Sequence, residues 1–318
     1  MALSNGGGVL AASGYPQYAG VFTSPVFSAK LQERFWHSTV FTEITETGYL
    51  GELSRCGDQL TFFTTPRVRV QNYVKDGQLK HDTFETKPIT LSIDNAMAYS
   101  FKIDAIDERM MCNSAEWVKS VLNEASREMA NTIDRNILCQ LYLEASPANR
   151  GAQAGACSGC YNLGEVGAPL AITPLNVLDF MSNLAAVFDE AAVPMENRWI
   201  VVPPKFLDIV RRSELRSACV SGLGQSTMLN GRVGERICGF QMYTSSHLPM
   251  VIDPVTNAPT WNLVAGWKGA VVFASSIEQA RRIDSDKDNF DIFYQGLSVW
   301  GAGVVRKDAL AHIYCTLA

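Results

Sequence analysis

Over residues 113–144 the apolar side chains recur at spacings of three and four: Trp117, Val118, Val121, Leu122, Ala125, Met129, Ile133, Ile137, Leu138 and Leu141. That period marks one face of an amphipathic helix. Lys119, Asn123, Glu124, Arg127, Glu128, Asn131, Asp134 and Arg135 fill the other side. Asn113 followed by Glu116 approximates a capping box, and no Gly or Pro intervenes before Pro147 stops the run. The pattern predicts a helix over 113–146, about 45 Å long. A rod of that length outruns a small globular domain, so it predicts a spine across a flat, extended subunit.

Before the spine the period changes to two. Val68, Val70 and Val74 alternate with Arg67, Arg69, Gln71 and Tyr73, predicting a strand over 62–74. Asp76-Gly77 is a hairpin-turn signal. Residues 79–86 return with mixed polarity, and Ile89, Leu91 and Ile93 resume the alternation. A β-ribbon over roughly 60–94 results, and a two-stranded ribbon is marginal alone in water. It is therefore expected to lie on a neighbouring subunit. Tyr99, Phe101 and Ile103 place a further strand at 96–103, and Val40 to Ile44 is β-prone.

Residues 1–23 are rich in Gly, Ser and Ala without periodicity and read as a mobile arm. Ser24-Pro25 opens a short helix through Leu31 and Phe35. After the spine, 148–168 is a small-residue loop, long enough to be either exposed or a boundary. From Thr173 the pattern is α/β. A helix carries Val177, Leu178, Met181, Leu184, Ala185 and Phe188, a buried strand spans 199–202, and Pro203-Pro204 starts a helix with Phe206, Leu207 and Val210. Residues 221–234 are a glycine-rich loop, 240–243 a strand, and 263–273 strands broken at Gly266 and Gly269. Residues 278–291 form a charged loop or short helix, and 295–315 two strands joined near Arg306-Lys307-Asp308.

The composition narrows the class. With 318 residues, 47% hydrophobic and 19% charged, the chain is globular and large enough for a sizeable core. A net charge of −5 argues against tight, phosphate-driven nucleic-acid binding. No apolar run reaches a membrane-spanning length, and no basic segment opens a signal peptide. The eight cysteines are irregularly spaced and read as reduced thiols of a cytoplasm-like compartment.

Candidate chemistry is sparse. Cys157-Ser158-Gly159-Cys160 is a CxxC without a second ligand pair, the nearest histidines being His81 and His247; two free thiols in a loop is the favoured reading. Gly222-Leu223-Gly224, with Gly231 and Gly234, lacks both phosphate-loop spacing and a Lys-Ser/Thr. Asp104, Asp107 and Glu108 suit a helix N-terminus better than a divalent ion. Ser245-Ser246-His247 lacks a nucleophile elbow. No catalytic, cofactor or metal residues are assigned, which favours a structural or binding protein.

Six features in this order resemble the major capsid proteins of tailed phages, with their Hong Kong 97-type coat fold, nearest to those of short-tailed phages. They are Tyr49-Leu50-Gly51-Glu52-Leu53 with Gly57-Asp58-Gln59; Ile93-Asp94 through Phe101-Lys102-Ile103-Asp104-Ala105-Ile106-Asp107; Ala130-Asn131-Thr132-Ile133-Asp134; Arg198-Trp199-Ile200-Val201-Val202-Pro203-Pro204; Gly234 through Gly239-Phe240-Gln241-Met242-Tyr243-Thr244-Ser245-Ser246 with Leu248-Pro249; and Gln295-Gly296-Leu297 through Gly301 to Ala309-Leu310. The resemblance implies an α+β fold with an N-terminal arm (1–48), an extended loop (49–94) and a peripheral domain (95–167) holding the spine. An axial α/β domain (168–260) and a return through both (261–318) complete it.

It further implies hexamers and pentamers tiling an icosahedral shell around double-stranded DNA bound without sequence specificity. The virion is the expected location, after assembly in the host cytoplasm, with no enzymatic activity, no cofactor and no membrane partner. Portal and separate scaffolding proteins are expected partners, a decoration protein a further one. The scaffold is expected to be separate, or a segment already removed, because the ribbon begins near residue 60. Expected inter-subunit contacts are Arg67, Arg69, Tyr73, Lys75, Asp76 and Lys80 on the extended loop, and Arg281, Arg282, Asp284, Asp286 and Lys287 on a loop at three-fold positions. The alternatives are an encapsulin-like nanocompartment shell of the same fold and, from another class, a metal or thiol enzyme using the CxxC loop.

Overall fold

Val40, Phe41 and Ile44 are buried and sit on a short helical turn, α1 (Phe41–Ile44). The computed structural model describes residues 39–47, 59–63, 68, 70, 72, 81, 83, 88–111, 113–213, 228–229, 232–233, 236–286 and 289–317. The turn replaces the β-structure expected there. The N–H groups of Val40 and Phe41 both donate to Asp134 Oδ1, at 2.9 Å, and a carboxylate is a favourable acceptor at a helix start. The arm before residue 39, with its predicted helix at Leu31 and Phe35, lies outside the described residues.

The base of the ribbon is β1 (Gln59–Phe63) and β2 (Pro88–Ser92), antiparallel from Gln59↔Ser92 to Phe63↔Pro88. Within the 62–74 alternation, Val68 and Val70 stand outside any strand, exposed. The Asp76-Gly77 turn and most of both arms lie outside the described residues. Next, β3 (Asn95–Asp104) follows its alternation, turning Met97, Tyr99, Phe101 and Ile103 to its more buried face. In α2 (Ala105–Met110), Asp104 Oδ1 accepts the Ile106 N–H at 2.8 Å, the capping role expected of it.

The spine is α3 (Ser114–Leu141), 28 residues and about 42 Å long. It stops before Pro147, and the Asn113 side-chain amide donates to Glu116 Oε2 (3.1 Å) with no side-chain cap on the helix N–H groups. Ile133, Ile137, Leu138 and Leu141 enter the main core. Val118 joins a smaller cluster with Ile103, Ile292 and Tyr294. Asn131 and Asp134, assigned to the polar side from sequence, are buried.

Residues 148–168, exposed along much of their length, are fastened to the body at several points. Ala154 and Leu163 are buried, and Asn149 Nδ2 donates to the carbonyls of Asp308 (2.7 Å) and Leu310 (3.0 Å). Gly164 has φ +81°, and a Cβ there would overlap the Tyr314 carbonyl oxygen. We expect Gly164→Ala to destabilise the fold by about 3 kcal/mol, from left-handed strain plus overpacking; denaturant unfolding measures it.

The remaining elements are β4 (Leu170–Ile172), α4 (Val177–Glu190), β5 (Arg198–Val202), α5 (Pro204–Arg212), β6 (Met228–Leu229), β7 (Arg232–Val233), β8 (Arg236–Ile237), β9 (Phe240–Thr244), β10 (Met250–Ile252), β11 (Pro259–Trp267), β12 (Val271–Asp286), β13 (Asn289–Val304) and β14 (Leu310–Leu317). A seven-stranded mixed sheet runs β4-β14-β11-β5-β9-β8, with β10 also on β11. All five β5 residues are buried. Arg198 is among them: it pairs with Asp189 (2.7 Å) and lies over the Phe188 and Phe240 rings. Gly266 does not break its strand; a Cβ there would sit 2.6 Å from the Trp199 ring, so the glycine permits close packing.

A second sheet, β12-β13-β3, corrects the sequence reading most. Residues 278–291, expected as a charged loop or short helix, lie mostly in two 16-residue strands paired from Val271↔Val304 to Asp286↔Asn289. Arg281, Arg282 and Asp284 stand exposed on β12 while Asp291 on β13 is buried, so no apolar period announces the strands.

Candidate functional site

Three places in the fold tie separate parts of the chain together through polar groups. The first is the root of the N-terminal segment. Asp134, fully buried on α3, accepts the Val40 and Phe41 N–H groups through Oδ1 and the Ser245 hydroxyl through Oδ2 (3.4 Å). Ser245 Oγ in turn accepts the His247 backbone N–H at 3.1 Å. Burial pushes the Asp134 carboxyl above the ordinary aspartate range, against the pull of the Val40 N–H and nearby His247. Alongside, the Phe41 ring packs on Phe273 (5.2 Å), Glu46 N–H donates to the Val271 carbonyl (2.8 Å) and Phe273 N–H to the Glu46 carbonyl (3.2 Å). Thus residues 40–46 are fastened to α3, β12 and the end of β9. Sequence reading missed Asp134 as an anchor, although it closes the Ala130–Asp134 pattern.

The second is the charged face of the β12–β13 hairpin. Arg281 Nε donates to Gln295 Oε1 (2.9 Å). Arg282 donates to Asp284 (2.5 Å), stands 3.7 Å from Glu108 on α2 and lies over the Tyr294 ring. Lys102 and Asp291 pair across β3 and β13 at 3.0 Å. Arg281, Arg282 and Asp284 are therefore on a strand, not a loop, and exposed; Asp286 ends that strand, and Lys287 lies outside the described residues. Exposed pairs of this kind add register more than energy.

The third is the ribbon root. Leu91 packs on Val272 and Ala274. A Cβ on Gly303 would come 2.6 Å from Leu91, and one on Gly301 2.5 Å from the Ser92 carbonyl oxygen, so glycines let β2 seat on β13. Arg67, Arg69, Tyr73, Lys75, Asp76 and Lys80 lie outside the described residues.

Cys157 and Cys160 are exposed free thiols, and the loop is shaped by Glu190, whose Oε2 accepts the Cys157 (2.9 Å) and Ser158 (3.0 Å) N–H groups. The Ser158 hydroxyl foremost, with those N–H groups, holds the Glu190 carboxyl below its usual range. Among the described residues no three His, Cys, Asp or Glu side chains gather as a metal site. Gly222, Gly224, Gly231 and Gly234 lie outside the described residues; between them β6 and β7 pair as a minimal hairpin. Burial pushes the Cys315 thiol up to about 12, which makes it inert. No helix among the described residues is long and apolar enough to cross a membrane.

His312 gives the fold a pH dependence. Its Nε2 lies 2.9 Å from Asn262 Oδ1, an acceptor, so Nε2 carries the proton of the neutral ring. Burial, with Arg150 nearby, lowers its pKa from 6.5 to about 4. The unfolded chain binds the proton more readily, so this stability is full above about 6.5 and is lost as pH falls through about 4. We expect roughly 2–3 kcal/mol of stability to go over that window. His312→Gln should flatten the loss in denaturant titrations at stepped pH.

No protein-family model and no curated protein matches the chain. Solved structures do. A chain of Mycobacterium phage Che8 is similar with TM-score 0.67 and 22% identity, over 92% of this chain and 96% of that one. The capsid structure of cyanophage P-SCSP1u matches with TM-score 0.65 and 16% identity, over 93% and 94%. The capsid of Ralstonia phage GP4 matches with TM-score 0.60 and 12% identity, over 94% and 97%. The likeness runs nearly end to end in both chains of each pair. The chain has the Hong Kong 97-type coat fold of tailed-phage major capsid proteins.

Proposed function

We propose that this protein is a tailed-phage major capsid protein, which self-assembles as hexamers and pentamers into an icosahedral shell around double-stranded DNA. The observation that carries the reading is the end-to-end likeness to capsid subunits: 93% of this chain against 94% of the cyanophage chain. A further support is the ribbon root, which is seated on the subunit's own β13 while Val68 and Val70 beyond it are exposed. An exposed ribbon of that kind gains its burial from a neighbour.

In this reading the seven-stranded sheet with α4 and α5 forms the axial domain, and α3 with the β12-β13-β3 sheet the peripheral domain. Arg67, Arg69, Tyr73, Lys75, Asp76 and Lys80 contact the adjacent copy. Arg281, Arg282, Asp284, Asp286 and Lys287 meet their counterparts at three-fold positions. The interfaces are obligate, above about 2,000 Å². The net charge of −5 gives a weakly repulsive lining from which packed DNA can leave. The role is structural and non-enzymatic, its place the virion after assembly in the host cytoplasm, and scaffolding, portal and decoration proteins are its partners. Sizing of the purified chain with negative-stain images tests the reading: closed shells are expected, and a monomer at high concentration would overturn it.

A further inference from the structure

One corner of the seven-stranded sheet is apolar where it meets solvent. Val166 is 68% exposed, Ile252 65%, Val255 70% and Val251 46%. All three residues of β10 are exposed, whereas all five of β5 are buried in the same sheet. Among the described residues β10 pairs with β11 alone. The only charged residues on 164–168 and 249–259 are Glu165, which is exposed, and Asp253, which is buried.

That buried aspartate fixes the corner. Asp253 Oδ1 accepts the Gly167 N–H (2.8 Å) and the Tyr314 hydroxyl (3.0 Å). Its Oδ2 accepts the Val255 N–H (3.2 Å) and both the N–H and the hydroxyl of Thr256 (2.8 Å each). The Thr256 N–H foremost, with the other donors, holds this carboxyl well below the usual range. Gly167, at φ +93°, lies so near Val255 that a Cβ on it would come within 3.2 Å of Cγ2. One carboxylate therefore locks the Val166 loop, the Val255 turn and β14 together. A surface fixed in advance loses little conformational freedom on binding.

We propose that this corner, Val166, Val251, Ile252 and Val255, docks against a second copy of this chain and is one of the contacts that close a ring of subunits. The proposal rests on the shell reading above. A patch on the order of a few hundred Å² is the size that marks an interaction site. Yet a stable two-body complex takes about 800 Å² from each partner, so the corner does not hold a free dimer. It serves where each copy is also held by other surfaces, as in a closed ring. An apolar, uncharged centre is the composition of a buried interface core.

The test places a photo-reactive p-benzoylphenylalanine at position 255. Irradiated particles are expected to give covalent multiples of this chain on a denaturing gel, while the unassembled subunit gives none. In parallel, Val255→Asp should leave the subunit folded, with Tm within about 2 °C of wild type, and lower particle yield at least tenfold; Val255→Ile should assemble normally. Cross-links only to a different protein, no cross-links in well-formed particles, or full particle yield from Val255→Asp would overturn the proposal while leaving the shell reading intact. If the unsubstituted chain forms no particles, the shell reading itself fails, and this proposal with it.

Discussion

Asp134→Ala is expected to destabilise the isolated subunit by about 3 kcal/mol and to free residues 39–47 from the body. The substitution removes the acceptor of two buried N–H groups, those of Val40 and Phe41. Leaving a buried donor unsatisfied costs about 1–3 kcal/mol each. Relief from burying a carboxylate offsets part of that sum, because burial already raises the Asp134 pKa. Asp134→Asn separates the two effects: it keeps an oxygen for both donors and carries no charge, so its cost should fall below about 1 kcal/mol. Hydrogen exchange at Val40 and Phe41 should accelerate strongly in the alanine variant and little in the asparagine variant. A folded pKa raised above the unfolded value gives stability that is full in acid and lost as pH rises through the folded pKa. Asp134 thus opposes His312, whose share grows with pH. In Asp134→Asn the rise of stability with pH should be steeper than in the parent.

Deleting residues 73–80 is expected to abolish shells while leaving the subunit folded. The register of β1 on β2, from Gln59↔Ser92 to Phe63↔Pro88, lies outside the deletion, and so does the seat of Leu91 on Val272 and Ala274. Shortening the connection between fixed strands changes loop-closure entropy by less than about 1 kcal/mol. Unfolding of the unassembled subunit should therefore be nearly unchanged, with particle yield down to background in electron micrographs. Normal particles from the deletion would remove the ribbon from the assembly mechanism.

What could be read in the sequence followed from one-sided burial. The spine, β3, α5, β5 and β9 each bury a face or a whole strand, and their periods of 3.6 or 2, or continuous apolar runs, stand out. The β12–β13 hairpin did not, because Arg281, Arg282 and Asp284 face solvent on an edge strand and dilute its alternation. Gly266 reads as a breaker, but its role is the near approach of the Trp199 ring. The loop at 148–168 looks unstructured because its order comes from backbone and amide bonds, such as those of Asn149 to β14 and its lead-in.

Asp134 is the instructive case for the site. It precedes Ile137, Leu138 and Leu141 by three, four and seven residues, so the helical period already puts it on the apolar stripe. Its charge argued for the polar side, and its partners are backbone N–H groups far away in sequence. A charged residue at a core position of the period is the signal that was present. Asp253 left a weaker trace, the Asp-Pro-Val-Thr turn, since its donors come from Gly167 and Tyr314, distant in the chain.

The central claim is that this subunit completes itself only among copies of itself, and a cryo-electron-microscopy reconstruction of the assembled particles tests it most directly. The predicted result is a closed shell in which the ribbon between Phe63 and Pro88 crosses onto the adjacent subunit. A monodisperse single chain whose ribbon folds back on its own body would contradict it.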